Sequence, residues 1–493
     1  MRTILLVAVG LLALVWWQAG TLGPVWVVSS PDSATYMAGA KSLATGRGYV
    51  DLSGMPIALA PPGTSLLYAP AAWLGAPADY TWFNATTLVM RVSIVALLFA
   101  ILRPSCGAGL AGGLAIAVAF FQDLLSPTVM SDIPYLMILG VTLWVATPER
   151  LARHQQGVHL LLGLLLGFGC ETRRTGYCVA LAYTVFLMTV GTTRRNLVMV
   201  AGGAALAGVA GLALAGSAFV DGQAYRLDRY VHRHEWVEGS PWVTPGDLLE
   251  RMHANAHHVF GYIGAFVTND GRGATVAGLV MVGLCAVGAW RSRTPADRLH
   301  TLLIACYGIP LLLGEVVQPR YILPLLPSLL HCLGRVLIRL GPRRSGLIVL
   351  AFVGLSGDLG RGLAAERTAT HLVQDTSFGA VRCLGHEGFQ KLVQDHSGYL
   401  HDGVTVSTSS QDILRHLVPP GVRLRGIAFD RDPQRVLDSL QGAHPDYVFL
   451  DLDRVGTEEL VLPAVDGHPE LFKLLARGGR GRIYQTVSPR PER

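Results

Sequence analysis

Two acidic residues and three arginines stand where a chain this apolar rarely carries charge. Asp32 follows an apolar run that extends to Val28, and Asp132 opens a second run in "SDIPYLMILG". Arg173 and Arg174 sit between two runs, and Arg320, with Tyr321 beside it, opens another in "QPRYILPLLP". A carboxylate held at a membrane surface can take the proton of an attacking hydroxyl. A guanidinium offers a planar fork of donors that suits phosphate oxygens. Each residue also has a plainer reading. Ser30-Pro31-Asp32 is a good helix start, with Pro early and an acid in the first turn. Ser131 can cap a helix that begins at Asp132. The arginines can snorkel to lipid headgroups. Glu171 and Glu315 read as charge partners of Arg173 and Arg320, and Asp123 is a weaker candidate acid.

The elements that must position these residues are membrane spans. Of 493 residues, 51% are hydrophobic and only 15% charged, and the mean hydropathy is +0.41. A soluble chain carries about a quarter charged residues. Apolar runs near the spanning length of about 20 residues fall at 3–28, 83–102, 107–121, 133–147, 157–171, 175–191, 196–220, 274–290, 298–315, 321–340 and 345–357. That predicts about 11 spans, with the first retained rather than removed as a signal. With the N-terminus in the cytoplasm, the cytoplasmic connections are Arg103-Pro-Ser-Cys, "TPERLARHQQG", "TTRRN", "RSRTPADR" and "RLGPRRSG". Each carries arginine, as the positive-inside rule requires. The outer pieces then include two long loops, 29–82 and 221–273, and everything after 357. Long loops of this kind are commonly functional. The basic pI of 9.0 reflects these cytoplasmic arginines and gives no reason to expect nucleic acid.

The last 136 residues differ in kind. Residues 358–493 hold 18 of the 34 acidic residues but only 16 of the 40 basic ones. "GVTVSTSS", "PDYVFLDLD" and "RIYQTV" read as strands, and "SQDILRHL" and "DPQRVLDSL" as helices. The predicted architecture is an α-helical polytopic membrane domain, 1–357, with a C-terminal extracytoplasmic α/β domain, 358–493. Several other motifs carry less. "GAGLAG" (107–112) matches GxGxxG but lies inside an apolar run, where glycines serve close helix packing. "ARGGRGR" is a flexible basic turn. His253 and His257 are spaced for one helix face in a loop that also holds His232, His234 and His258. No acid or Cys completes a ligand set there, so a metal is left as unknown. Seven scattered cysteines form no disulfide framework.

The first outer loop contributes the most specific pattern. "PDSATYMAGAKSLATGRGYV…PPGTSLLYAP" predicts a short interfacial helix with an apolar Tyr36–Ala40–Leu43 face and an end at Gly46. Pro61-Pro62-Gly63 then turns the chain back toward the membrane. This loop resembles the first outer loop of C-type (GT-C) membrane glycosyltransferases, especially protein O-mannosyltransferases and lipid A aminoarabinose transferases. "SDIPYLMILG", "LLLGLLLGFGCETRRTGYCVAL" and "QPRYILPLLP" resemble their middle and late spans, in the same order, over roughly residues 1–340.

The resemblance implies a multi-pass enzyme of the cell membrane and envelope. It takes a sugar from a polyprenyl-phosphate carrier and passes it, outside the cytoplasm, to a hydroxyl of a lipid, glycan or protein. It implies Asp32 as the catalytic acid of the first loop and an acid at Asp132. Where the family often has an acid pair, this chain has Asp32-Ser33, which leaves a divalent cation only as a possible cofactor. The leaving lipid phosphate needs cations for its growing charge, and Arg173, Arg174, Arg320 and Tyr321 are the expected donor-phosphate site. No nucleotide sugar is expected, because no Gly-rich phosphate loop follows a strand. Two alternatives stand beside this reading: a transporter or flippase of a lipid-linked or anionic solute, and an inactive scaffold of the same fold. A transporter would place ionisable groups at mid-span. Here they gather at the outer ends, Arg91 being the main exception.

Overall fold

The computed structural model describes residues 9–487, apart from 120–130, 152–155, 217–241, 266–270, 315–317, 342–366, 375–380 and some shorter gaps. Among the described residues, the apolar runs from 83 to 340 fall on helices. These are α3 (Thr81–Cys106), α4 (Ala108–Ala119), α5 (Asp132–Val145), α6 (Gln156–Thr172), α7 (Gly176–Thr189), α8 (Arg194–Ala215), α10 (Gly271–Arg291), α11 (Pro295–Leu313) and α12 (Leu326–Arg339). The loop 29–82 holds α1 (Pro31–Ala44) and α2 (Pro62–Leu74), and the loop 221–273 holds α9 (Pro245–Gly264). Among the described residues, Thr81–Cys106, Arg194–Ala215, Pro295–Leu313 and Arg320–Arg339 are long and apolar enough to cross a membrane. Shorter apolar helices stand beside them, and the expected run at 345–357 lies outside the described residues.

Small residues let these helices approach closely. A side chain at Gly163 of α6 would collide with the Val200 carbonyl of α8, and one at Gly203 with the Leu160 carbonyl. Without a solvent-driven hydrophobic force between helices in lipid, such seams supply packing contact. A polar network ties α11 to α12. Thr294 and Asp297 form a capping box at the start of α11, and the same Asp297 carboxylate accepts from His331 Nε2 (2.9 Å) and pairs with Arg335 Nε (3.4 Å). His300 stacks on His331 at 4.0 Å and its Nδ1 hydrogen-bonds Ser328 Oγ at 3.0 Å. The buried Asp297 carboxylate thus meets donors from three residues, as burial of a charge demands.

One expected helix ends early. The apolar run to Val28 is not helical throughout: a 3-10 turn at Ala19–Thr21 precedes a buried strand, β1 (Trp26–Val28). Its β-branched and aromatic residues suit a strand. It pairs in parallel with β2 (Val381–Cys383), Trp26 opposite Val381 and Val28 opposite Cys383. The remaining strands are β3 (Thr405–Thr408), β4 (Arg423–Gly426), β5 (Tyr447–Asp451), β6 (Phe472–Gly478) and β7 (Gly481–Thr486). They form one sheet in the order β4-β3-β5-β7-β6. β4, β3 and β5 run parallel, while β7 is antiparallel to β5 and β6. "ARGGRGR" makes the β6–β7 turn, with Gly479 at φ +50°.

Helices cover both faces of this sheet. Phe449 packs with Phe389, Leu392 and Val393 of α13 (Glu387–Asp395), whereas Val448 and Leu450 pack with Val436, Leu437 and Leu440 of α15 (Pro433–Ala443). The short α14 (Gln411–Leu414) follows β3, and α16 (Leu462–Asp466) lies beside α15. Side chains alternate across a strand, which is why "YVFLD" reads as a continuous apolar run when both faces are covered.

The α/β unit rests on β1, the segment before it and the loop 29–82 that follows. Besides the β1–β2 pairing, Val25 N donates to Val373 O (3.0 Å) and Gln374 Nε2 to Gly20 O (3.0 Å). Arg415 forms an ion pair with Asp51 of the loop. Ile413 of α14 belongs to the same hydrophobic core as Trp26, Ala34 and Met37.

Candidate active site

The first helix of the outer loop forms as its sequence requires. Pro31 opens α1, Asp32 sits in its first turn, and the chain leaves through Gly46 at φ +73°, with Arg47 N donating to Ser42 O at 3.0 Å. Its apolar face does not meet lipid. Tyr36 and Ala40 are buried in the protein core, and Ser65 Oγ of α2 donates to Tyr36 O at 2.8 Å. The cause is α2 itself. Pro61-Pro62-Gly63 reads as a plain turn, but proline at the first helical position starts a helix as readily as it ends one, and Pro62 begins α2. That helix covers the stripe a bilayer would otherwise cover.

α2 in turn is fixed to the end of α6. Thr64 Oγ1 donates to Thr172 O at 3.2 Å, and a side chain at Gly63 would lie 2.6 Å from Glu171 O. Gly63→Ala is therefore expected to cost about 1–3 kcal/mol through overpacking against backbone. Gly202→Ala on α8, where a side chain meets open space, should be neutral or mildly stabilising. Thermal unfolding midpoints of the two purified variants check this contrast.

Asp132 is the centre of the charged cluster. It opens α5 with its side chain 4% exposed and forms an ion pair with Arg173 Nη1. Its second oxygen lies 4.0 Å from Arg320 Nε. Arg173 stands in the tight turn between α6 and α7, where Arg173 N donates to Gly169 O and Gly176 N to Arg173 O. Arg320 and Tyr321 lie on the 3-10 segment Pro319–Leu325 that leads into α12. Arg173 and Arg320 stand 5.0 and 5.4 Å from the Tyr321 ring centroid, within cation–π range. Tyr307 of α11 donates to Thr175 Oγ1 at 3.3 Å on the same side.

Asp32 joins this cluster through Tyr36. The two residues are one helical turn apart and share a side of α1. Asp32 is exposed and Tyr36 buried. The Tyr36 hydroxyl hydrogen-bonds Ser131 and feels the charges of Asp32, Arg173 and Asp132. Burial, followed by the Asp32 carboxylate, pushes its pKa up to about 12, so it stays a protonated donor at neutral pH.

Four residues singled out from sequence, Asp132, Arg173, Arg320 and Tyr321, thus come together, and Asp32 stands at their edge. Arg174 follows Arg173 in the same turn, separated by Thr175 from Gly176 at the start of α7. Glu171 does not pair with Arg173: Asp132 takes that place, and the Glu171 carboxylate packs against Gly211 of α8. Asp123, Glu315, His232 and His234 lie outside the described residues. His253, His257 and His258 are exposed on α9. Tyr36, Ser131 and Tyr307 are further members that sequence reasoning missed as site residues. Only the Asp32–Tyr36 spacing of one turn could have signalled any of them. The donor set around Asp132 is cationic, its oxygens already facing two guanidiniums, and does not fit a divalent cation.

The sequence from residue 59 to residue 313, more than half of the chain, matches the family model of glycosyltransferase family 87. The chain belongs to glycosyltransferase family 87. It is a multi-pass membrane glycosyltransferase, and the resemblance to C-type enzymes read from the outer loop and spans is borne out. No curated protein matches the family 87 chain in sequence. Solved structures do match its fold. ArnT from Cupriavidus metallidurans bound to undecaprenyl phosphate is 13% identical, with a TM-score of 0.57 over 98% of this chain and 97% of that one. The same protein in the apo state gives 0.59 at the same identity and coverage. The archaeal oligosaccharyltransferase AglB from Archaeoglobus fulgidus, in complex with an inhibitory peptide and a dolichol-phosphate, gives 0.51 at 11% identity, over 91% of this chain and 69% of that one. At such identities the likeness is one of fold.

Proposed function

We propose that this family 87 enzyme transfers a sugar from a polyprenyl-phosphate-linked donor to an acceptor hydroxyl at the outer face of the membrane. The observation that carries the reading is the pair of arginines, Arg173 and Arg320, held on the buried Asp132 beside an exposed Asp32. The acceptor oxygen attacks the anomeric carbon, and the bond from that carbon to the phosphate oxygen breaks. The phosphate leaves with the electron pair, and Arg173 and Arg320 stabilise the charge that grows on it. Asp32 takes the hydroxyl proton. Asp132, with guanidiniums on both oxygens, suits holding the arginines in place better than collecting a proton. Arg174 is a further candidate for the donor phosphate. The undecaprenyl phosphate and dolichol-phosphate bound by ArnT and AglB support a lipid carrier of this chemistry.

Replacing Arg320 by alanine is expected to remove one charge-assisted contact, about 1.5–3 kcal/mol. That corresponds to a loss of about 10- to 150-fold in kcat/KM for the lipid donor. Because Arg320 meets charge that grows as the phosphate leaves, steady-state kinetics should show the loss chiefly in kcat. An Arg320→Ala enzyme with unaltered kcat/KM would move the phosphate site elsewhere.

In this reading residues 1–357 form a membrane domain of about 11 spans and residues 358–493 an extracytoplasmic α/β domain. Arginine in every predicted cytoplasmic connection supports it. So does the β1–β2 pairing, which seats the α/β unit on the strand that leads into the helix of Asp32. A reporter active only in the cytoplasm, fused after Arg493, is expected to be silent. A strong signal there would reverse the orientation.

A further inference from the structure

The α/β unit carries a second cluster of chemistry-bearing residues. His386 Nδ1 lies 2.6 Å from Asp451 Oδ2, and the ligand atoms of His386, Asp451 and Asp453 all fall within 4.8 Å of one another. The Asp451 side chain is fully buried. It also accepts from Ser410 Oγ (2.7 Å) and from Asp453 N (3.1 Å), so its orientation is fixed. His386 and Asp453 are 14% and 27% exposed at the side chain, which leaves an approach from solvent.

The sheet topology places this cluster independently of its composition. β3 is followed by β4 on one side, and the chain then crosses to β5 on the other side. The strand order therefore reverses between β3 and β5. In open α/β sheets, ligands bind outside the carboxyl ends of the strands at that reversal. Ser410 lies just beyond the end of β3, and Asp451 ends β5, with Asp453 two residues on. His386 enters from the connection after β2, the strand that pairs with β1.

We infer that His386, Asp451 and Asp453 form a binding site for one divalent cation of the zinc or manganese class, separate from the Asp132 cluster. One imidazole and two carboxylates suit such a borderline cation better than calcium or magnesium, which prefer oxygen alone. Ligands about 2.0–2.2 Å from a shared zinc need the present His386–Asp451 spacing to open only slightly. Arg480 Nε bonds Asp453 Oδ1 at 2.8 Å and its Nη2 bonds Glu458 at 2.7 Å. It orients the Asp453 carboxylate from behind, as second partners of metal ligands commonly do. Bound there, the cation would join the connection after β2 to the end of β5 and so brace the unit on the first outer loop.

The test uses the full-length protein in detergent, stripped with a chelator and titrated by calorimetry with ZnCl2 or MnCl2 alone. The inference expects one equivalent bound, a raised thermal midpoint, and at least ~10-fold weaker binding in both His386→Ala and Asp453→Asn. Asp453 is partly exposed, so its variant should fold even if His386→Ala does not. Asp32→Asn, at an exposed position of the transfer site, should bind the cation as the wild type does, which separates the two sites. No stoichiometric zinc or manganese, unchanged binding in Asp453→Asn, or binding lost only in Asp32→Asn would each overturn it.

Discussion

Asp132→Ala is expected to lower stability by about 3–5 kcal/mol and to abolish detectable sugar transfer. The stability cost is that of breaking a buried ion pair by removing one partner. Asp132 and Arg173 side chains are only 4% and 12% exposed, so the guanidinium left behind is poorly reached by water. The activity cost follows from the same geometry. Without the carboxylate, Arg173 and Arg320 lose the anion that both face beside Tyr321. The double variant Asp132→Asn/Arg173→Gln removes both charges of the pair while keeping hydrogen-bonding groups of similar size. It should recover part of the lost stability, because replacing both partners is far less costly than orphaning one. It should not recover activity. Thermal midpoints and donor turnover, measured on the same preparations, separate the two effects. A single variant as stable as wild type would show that the pair is not a buried one.

Asp32→Asn is expected to reduce turnover by roughly 10²-fold or more while the protein folds and binds donor as before. Asp32 is exposed, and Asn suits a helix start about as well as Asp. The plain helix-start reading therefore predicts near wild-type activity, and the general-base reading predicts a kcat defect with donor affinity intact. Tyr36→Phe is a useful companion. It removes the hydroxyl that hydrogen-bonds Ser131 and senses both acids but leaves each carboxylate in place. A loss in Tyr36→Phe alone would move the emphasis from Asp32 to the tyrosine.

The local elements were legible because local patterns specify them. Apolar runs marked the helices from 83 to 340 other than α9, β-branched and aromatic residues marked β3, β5 and β7 but not β2, β4 or β6, and Pro31 and Gly46 bounded α1. What misled was context that a linear reading lacks. Trp26–Val28 is as apolar as a span and becomes a strand only because Val381–Cys383 arrives beside it from more than 350 residues away. Pro61-Pro62-Gly63 fits both a turn and a helix start, and the choice decides whether Tyr36 and Ala40 face lipid or protein. In the site, charge out of place marked Asp132, Arg173 and Arg320. Nothing in the sequence marked Tyr307, whose hydroxyl reaches Thr175 across 132 positions, or told that Asp132 rather than Glu171 partners Arg173. The His386–Asp451–Asp453 cluster was invisible for the same reason: its members are unremarkable until β5 and the connection after β2 meet.

The central claim concerns the donor, and one assay reaches it most directly. Purified protein is supplied with a panel of polyprenyl-phosphate sugars, and the release of free polyprenyl phosphate is followed. The account predicts release from at least one member of the panel, without any nucleotide sugar, and its loss in Asp32→Asn. Sugar transfer from a nucleotide sugar in the absence of any lipid carrier would contradict it.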